Sequence, residues 1–179
     1  GGSQQAAYQN LQPDLQRTLT FLREQGLPDE ALQLAVLESN SNPVRNRVTG
    51  ALISTEWTAR QPIRISSADV DRIAMVSRAI GSLIGDGVSL TIQPPAYTYT
   101  KLEGKRVDML AKATADARKR AVAIARQAGS GIGAITKADT GTFQITVPNS
   151  TDMGSYGSYD TRTIDKDITA VMGVTFRVQ

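Results

Sequence analysis

The chain has 179 residues, 20 basic against 17 acidic for a net +3, and neither cysteine nor histidine. Those absences remove thiolate and imidazole metal ligands, the cysteine nucleophile, and the usual base of a serine or cysteine triad. The length suits one large or two small domains whose core needs no disulfide or metal, and no apolar run approaches the ~20 residues of a membrane-spanning helix.

Gln4 to Gln25 reads as a first helix. Leu11, Leu15, Leu19 and Leu22 share one stripe, Gly26 is a suitable residue just past the end, and Pro13 threatens a kink. Pro28-Asp29-Glu30 turns the chain, and Ala31 to Ser39 is a short apolar strand candidate. Ser39 to Gly50 carries Asn, Ser, Pro and Arg without periodicity and reads as a polar loop. Ala51 to Ile65 alternates as a long strand, with Pro62 marking an edge or bulge near its end. Trp57, the only tryptophan, reads as a core or interface plug. Ser67 is placed to cap a second helix from Ala68 to Leu83. Its stripe is Val70, Ile73, Ala74, Ser77, Ile80 and Ile84, and Gly85-Asp86-Gly87 ends it.

Val88 to Gln93 and Ala96 to Leu102 read as strands separated by Pro94-Pro95, the best candidate boundary. We therefore expect an N-terminal subdomain over 1–93 and a C-terminal one over 94–179. The central helix of the second spans Val107 to Ala128. Val107, Leu110, Thr114, Ala117, Ala121, Ile124 and Ala128 recur at steps of three and four, so they share a face. Mostly small, they suit a helix lying flat on a sheet. Ile132 to Val147 predicts one long or two short strands. Pro148 to Thr163 is a loop rich in Ser, Gly, Tyr and Asp. Ile168 to Val178 alternates, with Ile168, Ala170, Met172, Val174, Phe176 and Val178 on one side.

The fold class predicted is α+β, with antiparallel or mixed sheets and helices packed on one face. The first half resembles a split βαβ unit whose first strand is absent, and an α-β-β second half follows. In that topology the first strand is central, so its absence leaves neighbours with unpaired backbone groups. A neighbouring subunit or a preceding segment would have to satisfy them. No export signal is visible, and Gly1-Gly2-Ser3 reads as a linker scar or a trimmed end.

No motif names a reaction. Gly129-Ser130-Gly131-Ile132-Gly133 is glycine-rich, but it follows a helix instead of opening one, so a helix C-cap is the better reading than a phosphate loop. Asp152, Asp160, Asp165 and Asp167 match no cation-loop spacing. Glu103 and Asp108 diverge around a helix and make a poor catalytic pair. No catalytic residue, cofactor, metal or small-molecule substrate is assigned. The aromatics Trp57, Tyr97, Tyr99, Phe143, Tyr156 and Tyr159 read as candidate oligomer contacts. Residues 94–179 carry twelve basic and eight acidic groups, +4. Their signs alternate along the chain, as on a solvated face, and no nucleic-acid partner is expected. A binding module for an anionic partner, such as lipid headgroups or nucleic acid, is the alternative function.

From Tyr97-Thr98-Tyr99-Thr100-Lys101-Leu102-Glu103 the chain resembles the SIMPL-domain family of mostly bacterial envelope proteins. The likeness continues through Met109-Leu110-Ala111-Lys112-Ala113-Thr114, Asp116-Ala117-Arg118 and Arg120-Ala121. It returns at Gly141-Thr142-Phe143-Gln144-Ile145-Thr146, Asn149-Ser150-Thr151 and Asp165-Lys166-Asp167-Ile168-Thr169-Ala170-Val171. The first half matches more loosely, at Ala7-Tyr8, Gly26-Leu27-Pro28 and Ser67-Ala68-Asp69-Val70-Asp71. The resemblance implies an exported, periplasmic or membrane-associated α+β protein without established catalytic residues. Some relatives form large ring- or channel-like homo-oligomers, and some are linked to oxidative-stress tolerance. The expectation is a non-enzymatic envelope protein that self-assembles into a homo-oligomer.

Overall fold

The computed structural model describes residues 2–151 and 157–179. It divides into two compact units, Gly1–Pro95 and Ala96–Gln179, and its class is α+β with small antiparallel sheets. Among the described residues no helix is long and apolar enough to cross a membrane.

The first unit opens with α1 (Gln4–Glu24), whose N-cap Ser3 accepts from the Ala6 N–H and which continues on both sides of Pro13. Ala7, Thr18, Leu19 and Leu22 are buried, with Leu11 and Leu15 half-buried on the expected stripe. Past the helix end, Gly26 at φ 78° lets its N–H reach the Arg23 carbonyl and the Leu27 N–H reach the Leu22 carbonyl. That is a Schellman closure, and its accompanying apolar contact is the centre of the core. Leu22 (0% exposed), Leu27 (2%) and Val76 (4%) pack together with Phe21, Leu32, Ile63, Ile65, Ile73 and Ile80 around them.

A long antiparallel ribbon follows: β1 (Leu32–Leu34) pairs with β4 (Ile63–Ile65), and β2 (Glu38–Arg45) pairs with β3 (Leu52–Arg60). Between the two ladders, residues 35–37 face only Gln61 and Pro62, an extra residue that interrupts the pairing. The single strand expected over 51–65 is thus divided at Pro62. The polar loop expected over 39–50 is corrected: residues 38–45 are strand, and only Asn46 to Ala51 turn. Pairing with β3 supplies the ladder bonds that the poor β-formers of Ser39-Asn40-Ser41-Asn42 do not recommend on their own. The Asn46 side chain holds the turn, accepting from the N–H groups of Val48 (2.8 Å) and Thr49 (3.0 Å). Thr55, Trp57 and Ala59 form the less exposed face of β3, against which α1 lies.

Helix α2 (Val70–Ala79) is capped by Asp69, whose carboxylate accepts from the Arg72 N–H, while Ser67 accepts from the Asp69 N–H one turn earlier. The expected cap at Ser67 is therefore displaced by two residues. Arg72 also pairs with Asp69 (3.0 Å) and donates to the Gln25 carbonyl at the end of α1 (3.1 Å). The backbone and guanidinium donors of Arg72 hold the Asp69 carboxyl below its ordinary range. The single helix expected to Leu83 breaks at Ile80 and resumes as α3 (Ser82–Gly85). This changes the phase, so Ile84 is 53% exposed and Leu83 is buried instead, while Val76, off the expected stripe, is buried within α2. Gly87 closes α3 by a second Schellman pair, Val88 N–H to Leu83 carbonyl at 2.9 Å.

The strand expected over 88–93 is not formed. Its alternation is genuine, but among the described residues no strand lies beside it, and Ser89 donates to the Asp14 side chain instead.

In the second unit, the strand expected over 96–102 is likewise absent. Among the described residues its backbone pairing is Tyr97 N–H to the Thr161 carbonyl, and α4 begins at Leu102 and runs to Gln127. Gly129 closes α4 with Ser130 N–H on the Ala125 carbonyl, the C-cap reading of the glycine-rich stretch. Helix α4 packs on the ribbon of β5 (Ile132–Thr146) and β6 (Asp167–Val178). Ile168, Ala170, Met172, Val174 and Phe176 are half-buried as the alternation predicts, while Val178 at the end is 69% exposed.

The stripe on α4 holds at Leu110, Thr114, Ala117 and Ala121 but fails at Val107 and Ile124 (each 71% exposed) and at Ala128. Met109 and Ala113 turn inward near the start, and Ala125 near the end. A straight helix crossing a twisted ribbon offers it a rotating face, so residues at the margins of a fixed stripe come out.

Candidate functional site

The end of β5 is the most enclosed part of the second unit. Gln144, Ile145 and Thr146 are all buried, so both faces of the strand are covered there. The chain returns along β5 in parallel: the Ile145 N–H donates to the Ser158 carbonyl (2.6 Å), and the Asp160 N–H donates to the Ile145 carbonyl (2.7 Å). Tyr97 then adds its N–H to the Thr161 carbonyl on the far side, at 2.7 Å.

This return is tied by a buried knot. The side chains of Lys166 (8% exposed) and Asp160 (6%) meet at 3.1 Å. The Lys166 ammonium also donates to the carbonyls of Asp160 (2.7 Å) and Thr163 (2.7 Å), so its three hydrogens each have an acceptor. Asp160 accepts from the Thr163 hydroxyl and from the N–H groups of Arg162 (3.1 Å) and Thr163 (3.0 Å). The Thr163 hydroxyl foremost, then these N–H groups and the ammonium, hold the carboxyl far below its usual range against the opposing effect of burial.

A group depressed in the folded state stabilises at pH above its unfolded value and loses that contribution as pH falls toward the folded one. Asp160→Asn should therefore lower the melting temperature near neutrality, and the gap to the parent should narrow steadily below about pH 4. Melting curves from pH 2 to 7 test this; a gap that is constant with pH would count against the knot.

The knot positions two of the expected aromatics. Arg106 lies with its guanidinium carbon 5.5 Å from the Phe143 ring centre and donates to the Tyr159 hydroxyl at 3.3 Å. Arg106 was not singled out in the sequence; helix, strand and return segment meet there from 37 and 53 residues away. Tyr97 reaches the same return segment through its backbone, whereas Tyr99 is 37% exposed and shares no strand with it. Trp57 is half-buried in the first unit, and Tyr156 lies outside the described residues. The acids do not converge on a cation site: Asp160 is held by Lys166, Asp167 accepts from the Asn149 N–H (2.8 Å), and Asp152 lies outside the described residues. Glu103 and Asp108 are both exposed on α4.

What the two units present to a partner is chiefly strand edge. Each of the three ladders among the described residues contains two strands. Large apolar side chains stand open at the hairpin turn and beside it, with Val48 94% and Ile53 65% exposed. Two concavities accompany them. One, of about 630 Å³, is an open groove with Phe21, Leu83 and Val88 beneath Arg17, Glu24 and Asp86. The other, of about 240 Å³, is lined by hydroxyls of Thr146, Ser150, Ser158, Tyr159 and Thr161.

A family model, SIMPL, described as "Protein of unknown function (DUF541)", matches residues 1–176. A comparison with curated proteins finds no match.

Proposed function

Because the chain belongs to the SIMPL family, we propose that it is a non-enzymatic protein of the cell envelope that assembles with copies of itself through open strand edges. The observation that carries this reading is that each ladder among the described residues contains two strands, the end of β5 alone being met by the return segment at 158–160. A two-stranded ribbon is marginal in water, and an uncovered outer edge offers a row of unpaired N–H and C=O groups as a template for another strand. Closing those edges between copies adds hydrogen bonds and covers apolar side chains in one step. Envelope location, and a tie to oxidative-stress tolerance, rest on the likeness to the family.

The basic excess of the second unit supports an anion-binding module less well. Arg120 is paired with Asp116 at 2.8 Å, Lys137 with Asp139 at 2.8 Å, and Lys166 is buried on Asp160. Arg106 and Arg118 lie over the rings of Phe143 and Phe176. These five basic groups are engaged within the unit itself.

Native mass spectrometry and light scattering across micromolar to near-millimolar concentration test the assembly. Species at multiples of 19.2 kDa are expected, ring-sized or smaller. A strict monomer at every concentration would overturn the proposal.

A further inference from the structure

We propose that β6 pairs with β6 of a second copy, antiparallel and centred on Met172. This deepens the assembly reading, on which it rests, by naming the edge, the occupant and the register.

The three ladders differ in how well their edges are guarded. Strand β2 carries Glu38, Pro43 and Arg45, and β3 carries Glu56 and Arg60. Pro, charge and irregularity are the features that keep natural edges from pairing. Strand β6 has twelve residues, no Pro and no Lys; between Asp167 at one end and Arg177 at the other, every side chain is uncharged. On one side it pairs with β5, and among the described residues no strand occupies the other side.

The sequence of β6 is complementary to itself in reverse. In an antiparallel pair, opposite residues share a face, and only registers that keep the face are admissible. A two-fold axis through Met172 puts Asp167 opposite Arg177 of the second copy, and Arg177 opposite its Asp167. On that solvent face, Thr169 meets Thr175 and Val171 meets Gly173. On the helix face, Ile168 meets Phe176, Ala170 meets Val174, and Met172 meets itself. A shift of the pairing by one face-preserving step in either direction separates both ion pairs.

Both charged groups are placed to respond. Asp167 and Arg177 are exposed, Asp167 has one oxygen on the Asn149 N–H, and Arg177 has no hydrogen bond or ion pair among the described residues.

The rest of the unit permits this pairing. Arg118 lies over Phe176, Thr114 reaches Met172 (3.4 Å), and Arg106 lies over Phe143, which pairs with Ala170. From 106 to 118 a helix rises about 18 Å, and from 170 to 176 a strand rises about 20 Å, so α4 runs along β6 on one face. The axis is perpendicular to the sheet, so both copies of α4 lie on the same side of a continuous β5–β6–β6–β5 sheet. Four strands then replace two marginal ones.

Charge exchange tests the register. Asp167→Arg gives a copy with two cations at the paired positions, and Arg177→Asp gives one with two anions. Each alone should associate at least about tenfold more weakly than the parent, because two attractive pairs become two repulsive ones. Mixing the two single variants should restore association as a heterodimer, and the double exchange should restore it within one protein. The chain has no cysteine, so Thr169→Cys and Thr175→Cys copies can be joined by a short thiol cross-linker without background. Cross-linked heterodimer should form much faster in the mixture than homodimer forms in either variant alone. Thermal melts of each variant check that the fold persists. Association unaffected by the single exchanges, or no rescue on mixing, overturns this inference but leaves assembly through another edge standing. Cross-links mapped by mass spectrometry to a different segment do the same, whereas a monomeric parent removes both.

Discussion

Leu22→Ala is expected to destabilise the first unit by about 2–5 kcal/mol, the range for truncating a fully enclosed aliphatic side chain that leaves a cavity. Leu22 is 0% exposed and sits at the junction of three elements. Its carbonyl accepts from the Leu27 N–H, and its side chain packs with Leu27 and Val76 inside a shell from β1, β4 and α2. Leu15→Ala, on the same stripe but half-buried, should cost distinctly less. Trp57 is the only tryptophan and lies in the same unit, so its fluorescence in urea reports the transition. The midpoint should fall with an unchanged slope. A loss under about 1 kcal/mol would mean that the Leu22–Leu27–Val76 cluster is not the centre of this core.

The helix around Leu22 was legible because its signals are local. The Leu stripe and Gly26 after the last turn fall within a few residues of what they control, whereas Ser3, read as part of the chain's end, proves to cap the first turn. The same holds for Gly129, which chemistry could mistake for a phosphate loop until its position after a helix is considered. Strands behave differently, since half of what makes a strand lies elsewhere in the chain. Residues 38–45 look like a loop and pair along β3, whereas 88–93 look like a strand and have no neighbouring strand among the described residues. Alternation predicts which way side chains would point if a ladder formed; it cannot supply the ladder.

The margins of α4 show a second limit. A fixed stripe on a helical projection assumes a flat partner, yet β5–β6 is a twisted ribbon, so Val107 and Ile124 rotate out while Ala125 rotates in. The cluster at Arg106, Phe143 and Tyr159 shows a third. Its aromatics could be named from sequence, but the cation joining them belongs to a helical turn that sequence reading assigned to the end of a strand and a connection. The reversed pattern of β6, by contrast, needed the structure only to show that among the described residues no strand lies on one side of it. The reversed complementarity of Asp167 to Arg177 was already present in the residues.

Gly157→Ala should be the most damaging change in the second unit, costing about 2–4 kcal/mol from strain and displacement together. Gly157 has φ 83°, where a Cβ is strained in any surroundings. Here the Cβ would also lie 2.7 Å from the Phe143 carbonyl oxygen, a backbone atom that cannot swing aside as a side chain could. To relieve it the return segment must lift from β5. The next residue, Ser158, supplies the carbonyl bound by the Ile145 N–H, and Asp160 two positions later donates back to Ile145. Losing those bonds loosens the Asp160–Lys166 knot and takes Tyr159 away from Arg106.

Gly129→Ala separates the two contributions, for Gly129 has φ 75° and nothing within 4 Å of an added Cβ. It carries the conformational strain alone, about 1 kcal/mol. If close approach is what demands glycine at 157, that variant should melt well below Gly129→Ala. Its Ile145 and Asp160 amides should also exchange hydrogen much faster, while Gly129→Ala leaves them protected. Equal melting temperatures and unchanged exchange would show that the return segment is not held against β5, and the aromatic cluster would lose its support.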